Sequence, residues 1–257
     1  MTNELVRYEV SDGIATITLD SPANRNALSR QLTSDLDRLV QQALVDDAAR
    51  VIVLTGTGTV FCSGADLKES RDANVAGTAT GPAGLLPVLM ALWNSPKPVV
   101  GRINGSARAG GLGLVAACDL AVAVETATFA VSEVRIGVIP GIISVLLLPK
   151  LGITKATELF LTGEPFSAND GVAMGLLTAS CPGDELDGMI STYVKRLRLG
   201  APSALAGAKA LIRDVPGMAL KAAFEETARR SAAFFASEEA REGMTAFAEK
   251  RPPSWQL

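Results

Sequence analysis

The 257-residue chain contains no histidine. That absence removes Ser-His-Asp and Cys-His catalysis and most zinc sites together. No G-x-S-x-G nucleophile elbow occurs either. Cys62, Cys118 and Cys181 are the only cysteines, odd in number and without C-x-x-C spacing. They read as reduced, buried thiols of a cytoplasmic protein rather than as a disulfide framework. Aromatic residues make up 5% of the chain although 48% is hydrophobic, so the core must be built from Ala, Val, Leu and Ile. Small side chains in close contact suit helices layered on a sheet. Mean hydropathy is high at +0.27, yet no apolar run reaches the ~18 residues of a membrane span. The longest runs, 114–124 and 142–148, are short, and Asp119 interrupts the first. The polar, acidic N-terminal residues are unlike a secretory leader. No membrane partner is expected.

Positive charge is also scarce. The net charge of −3 argues against nucleic acid, but it is unevenly spread. Residues 195–257 hold 11 of the 24 Lys and Arg but only 7 of the 27 Asp and Glu, giving +4 on a body of −7. A mildly basic tail on an acidic body suits an anionic small molecule. Solvated helix faces with i,i+4 pairs account for most of those charges equally well.

What is present alternates. Residues 5–10 and 14–19 switch between apolar and polar around Ser11-Asp12-Gly13, a hairpin pattern. Ser29 opens an amphipathic helix with Leu32, Leu36, Leu39, Val40 and Ala43 on one face. Residues 51–54 form a buried strand, 57–64 a loop, and a second helix starts near Ala65-Asp66. The stretch 75–84, rich in Ala, Gly and Thr, reads as a mobile flap over a site. A helix over 85–93 stops at Ser95-Pro96, a strand spans 99–103, a helix runs to about Cys118, and a buried strand covers 120–124. Short β and α units in alternation predict an α/β fold with largely parallel pairing. From about residue 184 the pattern is helical: 186–199, 203–213, 217–235 and 237–250. The division is set at 1–195, a core carrying the site, and 196–257, a helical segment suited to packing on itself or on a partner subunit.

The chemistry concentrates in two glycine-containing turns, each after a buried strand: Ser63-Gly64-Ala65-Asp66 and Ala109-Gly110-Gly111. Glycine admits close approach to main-chain N–H groups, and a helix N-terminus favours developing negative charge. Two such donors on one oxygen form an oxyanion hole, worth roughly 3–4 kcal/mol per donor. A rival pattern is Gly111-x-Gly113-x-x-Ala116 with Glu133 twenty residues beyond Gly113, the spacing of a dinucleotide fingerprint. Residues 104–108 intervene between strand and helix, and the segment lies mid-chain, both against it.

Over nearly its full length the chain resembles the enoyl-CoA hydratase/isomerase (crotonase) family. The resemblance rests on Asn26-Ala27-Leu28, on Phe61-Cys62-Ser63-Gly64-Ala65-Asp66-Leu67-Lys68, and on Lys97-Pro98-Val99-Val100. It continues through Asn104-Gly105, Ala109-Gly110-Gly111, Cys118-Asp119, Glu133 with Gly137-Val138-Ile139-Pro140-Gly141, and Glu242-Gly243-Met244 with Phe247 and Lys250. It implies a spiral of ββα units with a C-terminal helical segment, assembled as a homotrimer or dimer of trimers. It implies that the Ala65 and Gly110 N–H groups hold the thioester oxygen of an acyl-CoA and that Glu133 is a catalytic carboxylate. The Gly141 N–H then helps orient the reacting water. Lys68 and the backbone around Ala27 match CoA-contacting positions, with Arg25 and Asp66 as further CoA-binding candidates, and Phe247 and Lys250 match tail residues that reach CoA, sometimes on a neighbouring subunit. No metal and no separate cofactor is implied, coenzyme A being part of the substrate.

One departure matters. Two-acid hydratases of the family carry a second glutamate where this chain has Gly113, and Ile142-Ile143-Ser144 replaces a more glycine-rich turn. Both changes predict a site that is roomier beside the missing acid and more apolar at its wall. A lone carboxylate in apolar surroundings has a raised pKa suited to acid/base work near neutrality. Plainer roles stand beside these: Glu133 paired with Arg135, Asp66 as a helix cap, Arg108 exposed on its loop or reaching a CoA phosphate, Asp119 anchoring a turn. Three functions follow: a hydratase-like lyase acting on a 2-enoyl-CoA, including branched, methylglutaconyl-CoA-like chains; an isomerase using the same glutamate; and a non-catalytic acyl-CoA binding protein.

Overall fold

The computed structural model describes residues 4–76 and 84–256, with only the backbone of Asn74; the flap expected over 75–84 therefore lies largely outside the described residues. Strands β1 (Val6–Ser11) and β2 (Ile14–Leu19) form the expected hairpin. Its turn residues Asp12 and Gly13 have φ of 50° and 73°, the left-handed pair that a two-residue hairpin requires. Helix α1 (Arg30–Val45) is capped by Ser29, whose side chain accepts from the Leu32 N–H, and it buries the predicted apolar face.

The chain then runs through β3 (Val51–Gly56), β4 (Val60–Cys62), α2 (Leu67–Val75), α3 (Leu85–Asn94), β5 (Val99–Ile103), β6 (Ser106–Arg108) and α4 (Gly110–Ala117). After β7 (Leu120–Val124) and β8 (Thr128–Ala130) come α5 (Gly141–Thr162), β9 (Phe166–Ser167), α6 (Ala168–Ala173) and β10 (Ala179–Cys181). Helices α7 (Leu186–Arg198), α8 (Pro202–Asp214), α9 (Leu220–Phe235) and α10 (Glu238–Glu249) complete it.

Two sheets organise these elements. The larger has the order β1-β2-β3-β5-β7-β10, parallel after the initial hairpin. The smaller has the order β4-β6-β8-β9, and β4 lies within what the sequence presented as a loop. Each strand pair that crosses from the first sheet to the second and returns through a helix makes one turn of a ββα spiral. One face of the large sheet packs on α1, α3, α4 and α5 through Ile17, Leu36, Leu54, Leu92, Ile103 and Leu147. The other face, from Val51, Val53, Val100 and Val122, is covered by Leu186, Ile190 and Val194 of α7. The next helix, α8, is also tied to the body, because Lys209 Nζ donates to the Lys97 carbonyl and Arg213 to that of Trp93. The outer helices α9 and α10 leave Leu220, Phe224, Phe235, Met244 and Phe247 exposed. No helix among the described residues is long and apolar enough to cross a membrane.

Candidate active site

The smaller sheet delivers both glycine turns to one place. β4 and β6 are parallel neighbours, and the turns that leave them are in contact. A Cβ built on Gly64 would lie 2.9 Å from the Arg108 carbonyl oxygen, and one on Gly111 would lie 2.6 Å from that of Cys62. Both glycines are therefore required by packing. Leu28 pairs with the first turn: its N–H donates to Gly64 O and its carbonyl accepts from the Asp66 N–H. Ala65 lies between those two bonds, so its own N–H points away from Leu28 and has no protein acceptor among the described residues. In the second turn the Ala109 carbonyl accepts from Leu112 and Gly113. The Gly110 N–H, at the first position of α4, is left without a protein acceptor among the described residues. Ala109 has φ 48° and ψ −120°, a conformation that favours glycine and is held here by its surroundings.

The Asn26 side chain braces this arrangement. It is fully buried with φ 53°, and its amide donates to the carbonyls of Thr57, Val60 and Phe61 while its oxygen accepts from the Ser21 N–H. Asn26 stood in a recognised motif without a role; its structural role is to fix β4 and the preceding loop.

Glu133 enters from the next strand. The Ala109 N–H donates to Ala130 O at 3.1 Å, which ties the start of α4 to the end of β8, three residues before Glu133. Glu133 begins a short 3-10 turn, is only 9% exposed, and its Oε2 is buried without a hydrogen-bond partner. Burial raises its pKa above the ordinary carboxylate range. Pairing with Arg135 does not occur, since Arg135 reaches Glu164 and the Thr162 carbonyl.

Several expected positions look different. The space beside Gly113 is not roomy: a Cβ there would lie 2.5 Å from Ile143 Cγ2 and 3.4 Å from Leu89 Cδ1. The apolar wall is as expected, but Ile143 fills the volume. That crowding also removes the dinucleotide reading, because the fingerprint glycines admit protein atoms rather than a pyrophosphate. The Gly141 N–H is engaged by the Ile139 carbonyl at 2.8 Å, so it is not free for a water in this structure. The Asp66 carboxylate caps α2, accepting from the Lys68 and Glu69 N–H groups, and accepts from Asn24 as well. Those bonds hold its pKa below the usual range and leave it a structural part. The Arg108 guanidinium is neither an exposed loop group nor a phosphate hand; it is satisfied by Ala107 O and by the Thr128 carbonyl and hydroxyl.

The basic positions divide into two groups. Arg25, in a left-handed turn at φ 52°, and Lys68 on α2 are exposed and make no ion pair among the described residues. Ala27 is buried. Phe247 is 87% exposed, and Lys250 is the left-handed cap of α10. Helix α10 packs against α9, and its Glu239 accepts from the Ser203 N–H of α8. All three cysteines are free and buried, and burial pushes the Cys62 and Cys118 thiols up to about 12, which rules out thiolate chemistry near neutrality.

Two main-chain donors without a protein acceptor among the described residues, and a carboxyl whose buried Oε2 has no hydrogen-bond partner, gather around the N-terminus of α4; donors and a carboxyl of this kind are what holding a carbonyl oxygen during proton transfer requires. That is the class the fold and site define. The sequence profile for Enoyl-CoA hydratase/isomerase matches residues 9–257, and the chain belongs to this family. A putative enoyl-CoA hydratase of Thermus thermophilus is 33% identical over 93% of this chain and 96% of its own length. The 2,3-dehydroadipyl-CoA hydratase of Escherichia coli is 30% identical over 94% of each. A Mycobacterium smegmatis enoyl-CoA hydratase crystal structure, 32% identical, superimposes with a TM-score of 0.89 over 99% of this chain and all of that one.

Proposed function

We propose that the chain is an enoyl-CoA hydratase-like lyase, with Glu133 as its single acid/base. The observation that carries this is the buried Glu133 Oε2 without a partner, which in a folded protein marks a group kept for a ligand. The thioester oxygen sits on the Ala65 and Gly110 N–H groups. Glu133 takes a proton from water, whose oxygen adds to C3. The C2=C3 electron pair moves into the enolate that the two donors stabilise, and Glu133 returns the proton to C2. Arg25 and Lys68 meet the anionic end of CoA at the rim. Assembly as a trimer or dimer of trimers covers the exposed apolar residues of α9 and α10 and carries Phe247 and Lys250 of one copy to the CoA of another.

A second reading, migration of the double bond between 3- and 2-enoyl-CoA, is favoured by one observation. With the Gly141 N–H engaged by Ile139, Glu133 lacks that helper for water, whereas a proton shuttle needs only one base. The test is a panel of crotonyl-CoA, a branched 2-enoyl-CoA and a 3-enoyl-CoA, monitored for hydration, isomerisation and thioester hydrolysis. Wild type turns over at least one of them and Glu133→Gln does not. Binding without turnover of any member sinks both enzymatic readings.

A further inference from the structure

The face of α4 that carries Gly110 continues, one turn on, at Gly113. Four apolar side chains from three other parts of the chain close over it. Leu28 and Leu85 would lie 2.8 and 3.0 Å from a Cβ at Gly110, and Ile143 and Leu89 would lie 2.5 and 3.4 Å from a Cβ at Gly113. Leu85 and Leu89 are successive turns of α3, whereas Ile143 comes from the first turn of α5, directly after the segment that holds Glu133. Ile143 and Gly113 are thus a matched pair, bulk on one helix and its absence on the other. Any side chain at 113 would have to displace Ile143, which is itself buried.

A buried water needs two to four polar partners to be held. Of the groups just named, Leu28, Leu85, Leu89 and Ile143 offer none, the Gly141 N–H is already engaged, and the Ala65 and Gly110 donors are assigned to the thioester oxygen. Among these groups, all of them described residues, Glu133 alone remains for the water. Fast water addition depends on a second polar contact that Ile143 withholds, so hydration proceeds here on Glu133 alone. Double-bond migration needs no such contact: Glu133 removes a proton from C2 of a 3-enoyl thioester, the electron pair enters the enolate, and the same carboxyl delivers the proton to C4 as the double bond settles between C2 and C3.

We infer that Ile143, by filling the space beside Gly113, sets the partition of this site between hydration and double-bond migration. The inference rests on Glu133 acting as proposed above. Its test is the ratio of hydration to isomerisation rates in full-length wild type, Ile143→Val, Ile143→Thr and Ile143→Ala. Ile143→Val keeps the branched carbons and should hold the wild-type ratio. Ile143→Thr has the shape of the Val variant with a hydroxyl in place of one methyl and should raise the ratio about tenfold, the effect of one added hydrogen bond; Ile143→Ala should raise it less. A packing readout independent of catalysis accompanies this: Gly113→Ala should lower Tm in the wild-type background and lower it far less in Ile143→Ala. If the Thr and Ala variants keep the wild-type ratio while both activities are present, the role given to Ile143 is wrong and that of Glu133 survives. If wild type shows neither activity, both fall.

Discussion

The two ends of α4 obey opposite rules. At its C-terminus the charged groups are partnered. Lys150 Nζ donates to the Cys118 carbonyl at 2.9 Å, and Asp119 accepts from the Val99 N–H at 2.7 Å and pairs with Lys209 at 2.6 Å. Cations at a helix C-terminus are also favoured by the macrodipole. At its N-terminus the Gly110 N–H has no acceptor among the described residues, Ala109 is strained, and the nearby Glu133 Oε2 is buried without a hydrogen-bond partner. One helix therefore has a sealed end that stabilises the fold and an open end whose unmet hydrogen bonds are available to a ligand. Changes at the open end should alter turnover and leave or improve stability, while changes at the sealed end should do the reverse.

The largest effect is expected at Glu133. Glu133→Gln should lower kcat by about 10³-fold, read as steady-state hydration or isomerisation. The wild-type rate should rise with pH along a limb whose midpoint lies above the usual carboxylate range, because burial raises this pKa. The stability effect has the opposite sense. A carboxyl whose folded pKa is raised keeps its proton longer in the folded state, so stability falls as pH climbs from the unfolded to the folded pKa, and the deficit persists above it. Glu133→Gln has no such deficit. Its Tm should exceed that of wild type at pH 8, and the gap should close in acid. A variant that melts lower than wild type at pH 8 would mean that the carboxylate has a partner and that this end of the helix is not open.

At the sealed end, Asp119→Ala should leave the Lys209 ammonium without its anion and the Val99 N–H without an acceptor. The expected cost is about 3 kcal/mol, read by denaturant unfolding. The kcat of whatever remains folded should change by no more than about twofold. A large loss of kcat at unchanged stability would show that the two ends are coupled.

The same division governs what the sequence made legible. The hairpin, the buried face of α1 and the four C-terminal helices follow from local signals: paired positive-φ turn residues, a Ser cap and 3.6-residue periodicity. The strands β4, β6, β8 and β9 did not announce themselves, being two or three residues long and stabilised by pairing with one another. In α5, Pro149 and the non-helical Gly152, at φ 69° and ψ 165°, hide a helix within an apolar run. Ala65, Gly110 and Glu133 stood out as candidates because motifs surround them. The side chain that fills the place of a second acid did not, because Ile143 and Gly113 are thirty residues apart and only their contact gives the pair meaning. Arg108 and Asp66, both chemically suggestive as letters, turned out to be internally satisfied for the same reason: partners such as Thr128 and Asn24 are chosen by the fold.

The smallest and most discriminating change is Ala109→Gly. At φ 48° and ψ −120° an alanine is strained where glycine is not, so the substitution relieves strain in the folded chain. It also adds freedom to the unfolded chain, which offsets part of the gain, leaving a net stabilisation of less than about 1 kcal/mol. The alanine methyl has a second use: it packs against Gly64, 3.0 Å from where a Cβ there would lie, and so clamps the turn that carries Ala65 to the turn that carries Gly110. Glycine at 109 would loosen that clamp and blur the aim of both donors. The expected result is a kcat reduced by about two- to fivefold, the loss that imperfect alignment of one donor brings, in a protein whose Tm is unchanged or slightly higher. If instead Tm falls and kcat is kept, the Ala109 conformation serves the fold and not the site, and the open end of α4 is set by Gly64 and Gly110 alone.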